Sequence, residues 1–134
     1  MEIEEAFTAY LMAKVGLTAL ISTRFYPEEL PQGTTLPAVS YIKISDLKDH
    51  TLTGQVTLER PMFQFTAFAT TKAGARTVAN QLKADLQDYV GTMSGIVIQW
   101  IKLENEFSNL ETSPDGTIKI YKESQEYQIN FTRS

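Results

Sequence analysis

Within residues 61–89, PMFQFTAFATTKAGARTVANQLKADLQDY, the spacing of apolar side chains changes once, from every second residue to every third or fourth. Phe63, Phe65, Ala67 and Ala69 share one parity, and Met62, Gln64, Thr66 and Phe68 the other. This is the period of a strand, whose successive side chains point to opposite faces. Met62 and Phe68 add apolar surface to the second face, which predicts a central place in a sheet, and Pro61 fits the first strand residue. From Thr71 the apolar positions become Ala75, Val78, Ala79, Leu82, Leu86 and Tyr89, a single helical stripe. Thr70 or Thr71 can cap its start, and Gly91 can take the left-handed conformation past its end. The charges run against the helix dipole, with Lys72 and Arg76 near the N-terminus and Asp85 and Asp88 near the C-terminus. Either that face is solvated, or its charges meet opposite charges on another subunit.

The flanking chain supplies the partners of this unit. Residues 2–15 predict a first helix from Ile3, Ala6, Phe7, Tyr10, Leu11 and Val15, with Glu2, Glu4 and Glu5 favouring its N-terminus and Gly16 ending it. Residues 17–22 suit a packed helical turn. Pro27, Pro31, Gly33 and Pro37 make 24–37 a loop. The first strand is predicted at 38–45, followed by a long polar connection through Gly54 to the strand at 62–69. A third strand at 96–103 has apolar residues on both faces. Pro114, Asp115 and Gly116 mark a turn before a last strand at 117–132, with a break expected near 122–125, where the apolar parity changes. The expected architecture is α+β: a mostly antiparallel four-stranded sheet with two main helices on one face, in the order α-β-β-α-β-β, forming one domain over 1–134.

Composition narrows the function classes. A chain of 134 residues with 43% hydrophobic and 21% charged content can build a core without staples. With 12 basic and 16 acidic residues and no basic cluster, nonspecific nucleic-acid binding is disfavoured. The absence of cysteine excludes disulfides and thiolate zinc sites. The opening MEIEEAF is acidic where a secretory signal needs positive charge, and no apolar run reaches membrane-spanning length, so synthesis in the cytoplasm is expected.

No catalytic constellation emerges. Asp46, Asp49 and His50 cluster in the polar connection, but a metal needs more ligands of fixed geometry, and solvated loop residues explain them. His50 is the sole histidine and no nucleophile elbow or phosphate-binding glycine motif is present, so no cofactor is expected. Trp100, Tyr41, Phe63 and Phe65 could form a stacking platform for single strands. Such platforms need accompanying Lys or Arg, so these aromatics read as core.

Three segments carry a resemblance: GLTALISTRFYPEELPQGTTLPAVSYIKIS, the DHTLTG loop, and RPMFQFTAFATTKAGARTVANQLKADL. Arg24, Tyr26 and Pro27 before LPQG, Leu36 and Pro37 before the first strand, and 49–54 are its most characteristic residues. They make the chain resemble the tail completion, or head-tail joining, family of long-tailed bacteriophages and prophages. The resemblance implies a non-enzymatic virion protein that assembles as a ring, a hexamer, between head connector and tail tube, with DNA passing through it without specific binding. The competing classes are a small nucleic-acid-binding domain and an enzymatic domain of unknown substrate. The residues expected at subunit or connector contacts are Asp46, Lys48, Asp49, His50, Thr51, Thr53 and Gly54 in the connection, and Lys72, Arg76, Asp85 and Asp88 on the helix.

Overall fold

The computed structural model describes residues 2–31, 33–51, 54–112 and 116–132, and for 46–51 and 54–58 the backbone alone. The elements are α1 (Ile3–Met12), α2 (Val15–Ile21), β1 (Phe25–Pro27), β2 (Ala38–Thr51), β3 (Gly54–Ala69), α3 (Lys72–Leu86), β4 (Gly91–Met93), β5 (Ile96–Thr112) and β6 (Lys119–Thr132). They form one six-stranded sheet in the order β1-β2-β3-β6-β5-β4. β1 pairs with β2 in parallel, and the other neighbours are antiparallel.

This corrects the expected four-stranded sheet with two main helices. The sheet is mixed, there are three helices, and strand makes up 49% of the chain. Two short strands account for part of the difference. β1 lies in the proline-rich stretch read as a loop, held where Val39 donates its N–H to the Arg24 carbonyl at 3.0 Å. β4 follows α3 directly and pairs Gly91 with Ile98. The polar connection is also not a loop: β2 and β3 continue as a ladder to Thr51 opposite Gly54. Backbone pairing between the two strands carries the ladder through this polar stretch.

The strand-to-helix unit stands as the central feature. β3 lies inside the sheet between β2 and β6, with Phe63, Phe65, Ala67 and Ala69 buried. Thr71 caps α3, its side chain accepting from the Gly74 N–H at 3.0 Å, and Ala75, Val78, Ala79, Leu82 and Leu86 are the buried stripe. Beyond the helix the left-handed conformation falls on Asp88, at φ 61°, while Gly91, at φ 155°, enters β4. α1 ends at Met12, earlier than the glycine suggests, and Gly16 lies inside α2. There its missing side chain admits Gln81 of α3, whose amide would stand 2.8 Å from an added Cβ.

All three helices cover one face of the sheet. Phe7 of α1 sits at the centre, its ring 5.0 Å from Tyr41 and Phe63 and 5.2 Å from Phe65, each edge-on. β5 joins this core through two bulges. Ile98 pairs with Phe131 and Trp100 with Asn130, leaving Gln99 extra; Leu103 pairs with Tyr127 and Asn105 with Glu126, leaving Glu104 extra. The first bulge puts Ile98 and Ile101 on the same face, both buried, so the two apolar parities of 96–103 are one core face interrupted by an inserted residue. β6 shows no register shift at the expected break near 122–125. Its parity changes because Tyr127, Ile129 and Phe131 face the helices, whereas Ile120 lies on the opposite face with Ser124. The Pro114–Asp115 turn residues lie outside the described residues.

Candidate functional site

The helices leave the other face of the sheet bare, and the residues along it alternate with those of the core. Ile42 of β2, Thr66 and Phe68 of β3, Ser124 and Ile120 of β6 and Phe107 of β5 line a groove of about 570 Å³ there. One wall is the segment after β1, from Glu28 to Leu36. Leu36 precedes a cis bond to Pro37, and the Arg24 Nε–H donates to the Pro37 carbonyl at 2.9 Å, which ties the two ends of this segment together. Across the floor the Thr66 and Ser124 hydroxyls lie 3.1 Å apart. Lys122 reaches Glu111 at 3.2 Å and stands 5.5 Å over the Phe68 ring. Ile42, Ile44 and Phe107 are 45%, 46% and 40% exposed. Hydrocarbon interspersed with hydroxyl and amide groups is the chemistry of a contact surface. Among the described residues no group of three or more His, Cys, Asp or Glu is placed to hold a metal.

Two hairpins overhang the sheet at opposite ends. Leu58 and Val97 both pair with Thr132, so the β2–β3 ladder beyond Leu58 runs past the ends of β6 and β5. Ala69 and Leu110 both pair with Tyr121, and past them β5 and β6 continue alone to Thr112 opposite Lys119. Asp46, Lys48, Asp49, His50 and Thr51 lie on β2, in or near the first overhang, and Gly54 begins β3. Their side chains and all of Thr53 are outside the described residues.

The four charged α3 positions do not converge on one another. Lys72 is exposed at the first helical residue. Arg76 lies 3.9 Å from Glu123 of β6. Asp85 accepts from the Gln81 amide at 3.2 Å, while its backbone carbonyl accepts from the Tyr10 hydroxyl at 2.7 Å. Asp88, past the helix end, accepts from the Trp100 indole at 2.9 Å. That bond holds Trp100 on the outer side of β5, away from Phe63 and Phe65, which are core; Tyr41 is half-buried beside Phe7. Two strand carboxylates of β5 are likewise paired, Glu104 with Lys102 at 3.2 Å and Glu106 with Lys83 at 2.8 Å.

Sequence reasoning missed Gln125. It is buried between β6 and α3, its amide donating to the Ala79 carbonyl at 2.9 Å and to Glu106 at 3.3 Å, and its oxygen accepting from the Tyr127 hydroxyl at 2.7 Å. Burial, with Glu106 nearby, pushes the Tyr127 phenol well up. Burial also raises Tyr10, to about 12, with Asp85 and then Tyr89 adding to it. A glutamine at a core parity beside Tyr127 was the available signal; an expected strand break hid it.

A sheet with one clad face, one bare face and two overhanging hairpins is the geometry on which the comparisons with known proteins bear. The model of the tail completion protein gp17 family matches residues 5–127. The chain belongs to this family. Membership gives this tail completion protein a phage structural virion role. A chain in the solved structure titled "Virion of native gene transfer agent (GTA) particle" is similar in fold, with a TM-score of 0.77 at 14% identity over 97% of this chain and 94% of that one. No curated protein sequence matches this member of the family.

Proposed function

We propose that this tail completion protein joins the phage tail tube to the head connector, assembling as a ring at the head-proximal end of the tail. The observation that carries this reading is the family match over residues 5–127, and the likeness in fold to a chain of a gene transfer agent virion is in keeping with it. The protein acts by contact and carries out no catalytic step. Its partners are further copies of itself, six in the closed ring, together with the connector and tube proteins. DNA passes through without specific binding, and the net charge of −4 helps to keep the duplex from adhering. The protein is made in the host cytoplasm and ends in the virion. Asp46, Lys48, Asp49, His50, Thr51, Thr53 and Gly54, in the stretch that connects the first two long strands, contact the neighbouring subunit or the connector. The α3 charges lie on a second surface available to a neighbour.

Removal of the gene tests the joining role. Electron microscopy of the resulting lysate is expected to show DNA-filled heads and separate tails, with infectivity restored by supplying the protein in trans. Normal tailed, infectious particles from the deletion would refute the reading.

A further inference from the structure

We propose that copies of this chain join edge to edge. The outer edge of β5 over 105–112 in one copy pairs antiparallel with the outer edge of β2 over 45–48 in the next, so that the sheet continues from subunit to subunit. The proposal rests on the ring reading and names the surface that makes the ring.

Each of the two outer long strands is only partly covered. β4 pairs with β5 at Ile96, Val97 and Ile98, and β1 pairs with β2 at Val39, Ser40 and Tyr41. Beyond those rows no described strand lies beside either; on β5 the Asn105 and Asn109 side chains accept from the N–H groups of Glu106 and Leu110 at 3.0 and 2.9 Å, local bonds that an incoming strand displaces. Proteins ordinarily blunt such edges with proline, bulges or unpaired charge. Over 105–112 none of these devices is present. The register to β6 runs without a shift from Asn105 opposite Glu126 to Thr112 opposite Lys119, both bulges of β5 lie before it, and no proline occurs. Its two carboxylates are already held within the chain, Glu106 by Lys83 at 2.8 Å and Glu111 by Lys122 at 3.2 Å. Phe107 and Leu110, on opposite faces, are 40% and 47% exposed. On β2 the register shifts fall between Lys43 and Ser45 and between Lys48 and His50, leaving 45–48 straight.

The strand directions make a second copy the fitting occupant. β2, β3, β6 and β5 alternate strictly, so β2 and β5 run in opposite senses. A ring keeps every copy in one orientation to its axis, and the next copy's β2 therefore arrives antiparallel to β5, the stronger ladder. The contact uses two different edges, and such a head-to-tail interface closes into a ring when the rotation between copies closes. The covered stretches lie at opposite ends. Tyr41, beside β1, is level with Phe65, Gln125 and Glu106, where no described strand lies on the outer side of β5. Neighbouring copies must therefore slide along the strands, the stagger that a closed cylinder of tilted strands requires.

The chain lacks cysteine, so introduced pairs report the contact alone. Particles are assembled on chains carrying S45C together with one further cysteine at each position of 105–112 in turn, then oxidised and run without reductant. A disulfide needs Cα atoms about 4.4–6.8 Å apart, so only positions facing Ser45 will bridge. A covalent ladder is expected from the double variant whose second cysteine faces Ser45 and not from those two or more residues away, with the S45C chain alone remaining monomeric. If imaging shows the ring in place while every double variant runs as monomer, edge pairing is wrong and the ring reading stands. A ladder from a lone cysteine in 105–112 would mean two β5 edges meet each other, which also overturns the proposal. Particles holding a single copy would remove the ring reading itself.

Discussion

Gln125 and Tyr10 tie the helical layer to the rest of the fold through polar atoms. Gln125 links the α3 backbone at Ala79 to the Tyr127 hydroxyl inside an otherwise apolar layer. Removing a side chain that satisfies a buried partner costs that partner's desolvation, about 1–3 kcal/mol, plus the lost packing. Gln125→Ala is therefore expected to lower unfolding free energy by about 2–4 kcal/mol, read from urea midpoints at unchanged slope. Tyr10 gives a pH signature. Its folded-state pKa is raised to about 12, and that of Tyr127 is raised as well, both chiefly by burial. A raised pKa means that the folded state holds its proton where the unfolded chain releases it. The resulting stability is whole below the ordinary tyrosine range near pH 10 and falls as pH rises toward 12. Stability measured against pH should decline over that interval, and Tyr10→Phe should flatten the decline while losing the hydrogen bond to Asp85.

At the scale of elements, the deciding devices are the bulges of β5. Gln99 is the extra residue between two ordinary pairs, Ile98 with Phe131 and Trp100 with Asn130. Deleting it joins those pairs into a regular ladder and keeps Ile98 and Ile101 on the helix side. The expected cost is within about 1–2 kcal/mol. Gln128 is different, since β6 is regular there and pairs with both Met62 and Lys102. Its deletion would turn Ile129 and Phe131 out of the core, at about 1.5–3 kcal/mol for each side chain. Equal loss of stability in the two deletions, compared by thermal melts, would contradict this register. The same devices explain what was legible in the sequence. The 62–69 strand and the α3 stripe were readable because alternation and helical spacing there are each unbroken. Strand 96–103 seemed apolar on both faces because a one-residue insertion reverses parity without any compositional mark. β1 escaped notice because three residues ending in a proline carry no period. The long hairpins read as loops because ladder pairing needs no apolar side chains. Of the candidate surface, the charges and turn residues could be named in advance, but the bare face and open edges depend on strand order, which no local pattern encodes.

For the whole molecule, the question is whether folding and joining are carried by separate parts. The core lies between the three helices and one face of the sheet, whereas the β2–β3 ladder beyond Leu58 extends past the ends of β5 and β6. The described backbone of 47–51 and 54–57 lies in the β2–β3 ladder, most of it past the ends of β5 and β6, and its removal is expected to shorten the hairpin without opening the core. Asp46 stands opposite Pro61, so after the deletion two added residues together with 58–60 make a five-residue connection across the ladder. Deletion of 47–57 with a two-residue Asn-Gly turn is expected to leave a cooperatively folded monomer, with a loss of no more than about 2 kcal/mol. The same deletion carried on the phage should abolish joining, because it removes one of the two overhanging hairpin ends together with residues 47 and 48 of the β2 edge. Normal yields of infectious tailed particles would show that the hairpin has no part in the contact. An unfolded product would show instead that the overhang belongs to the fold, and the separation of folding from joining would be refuted.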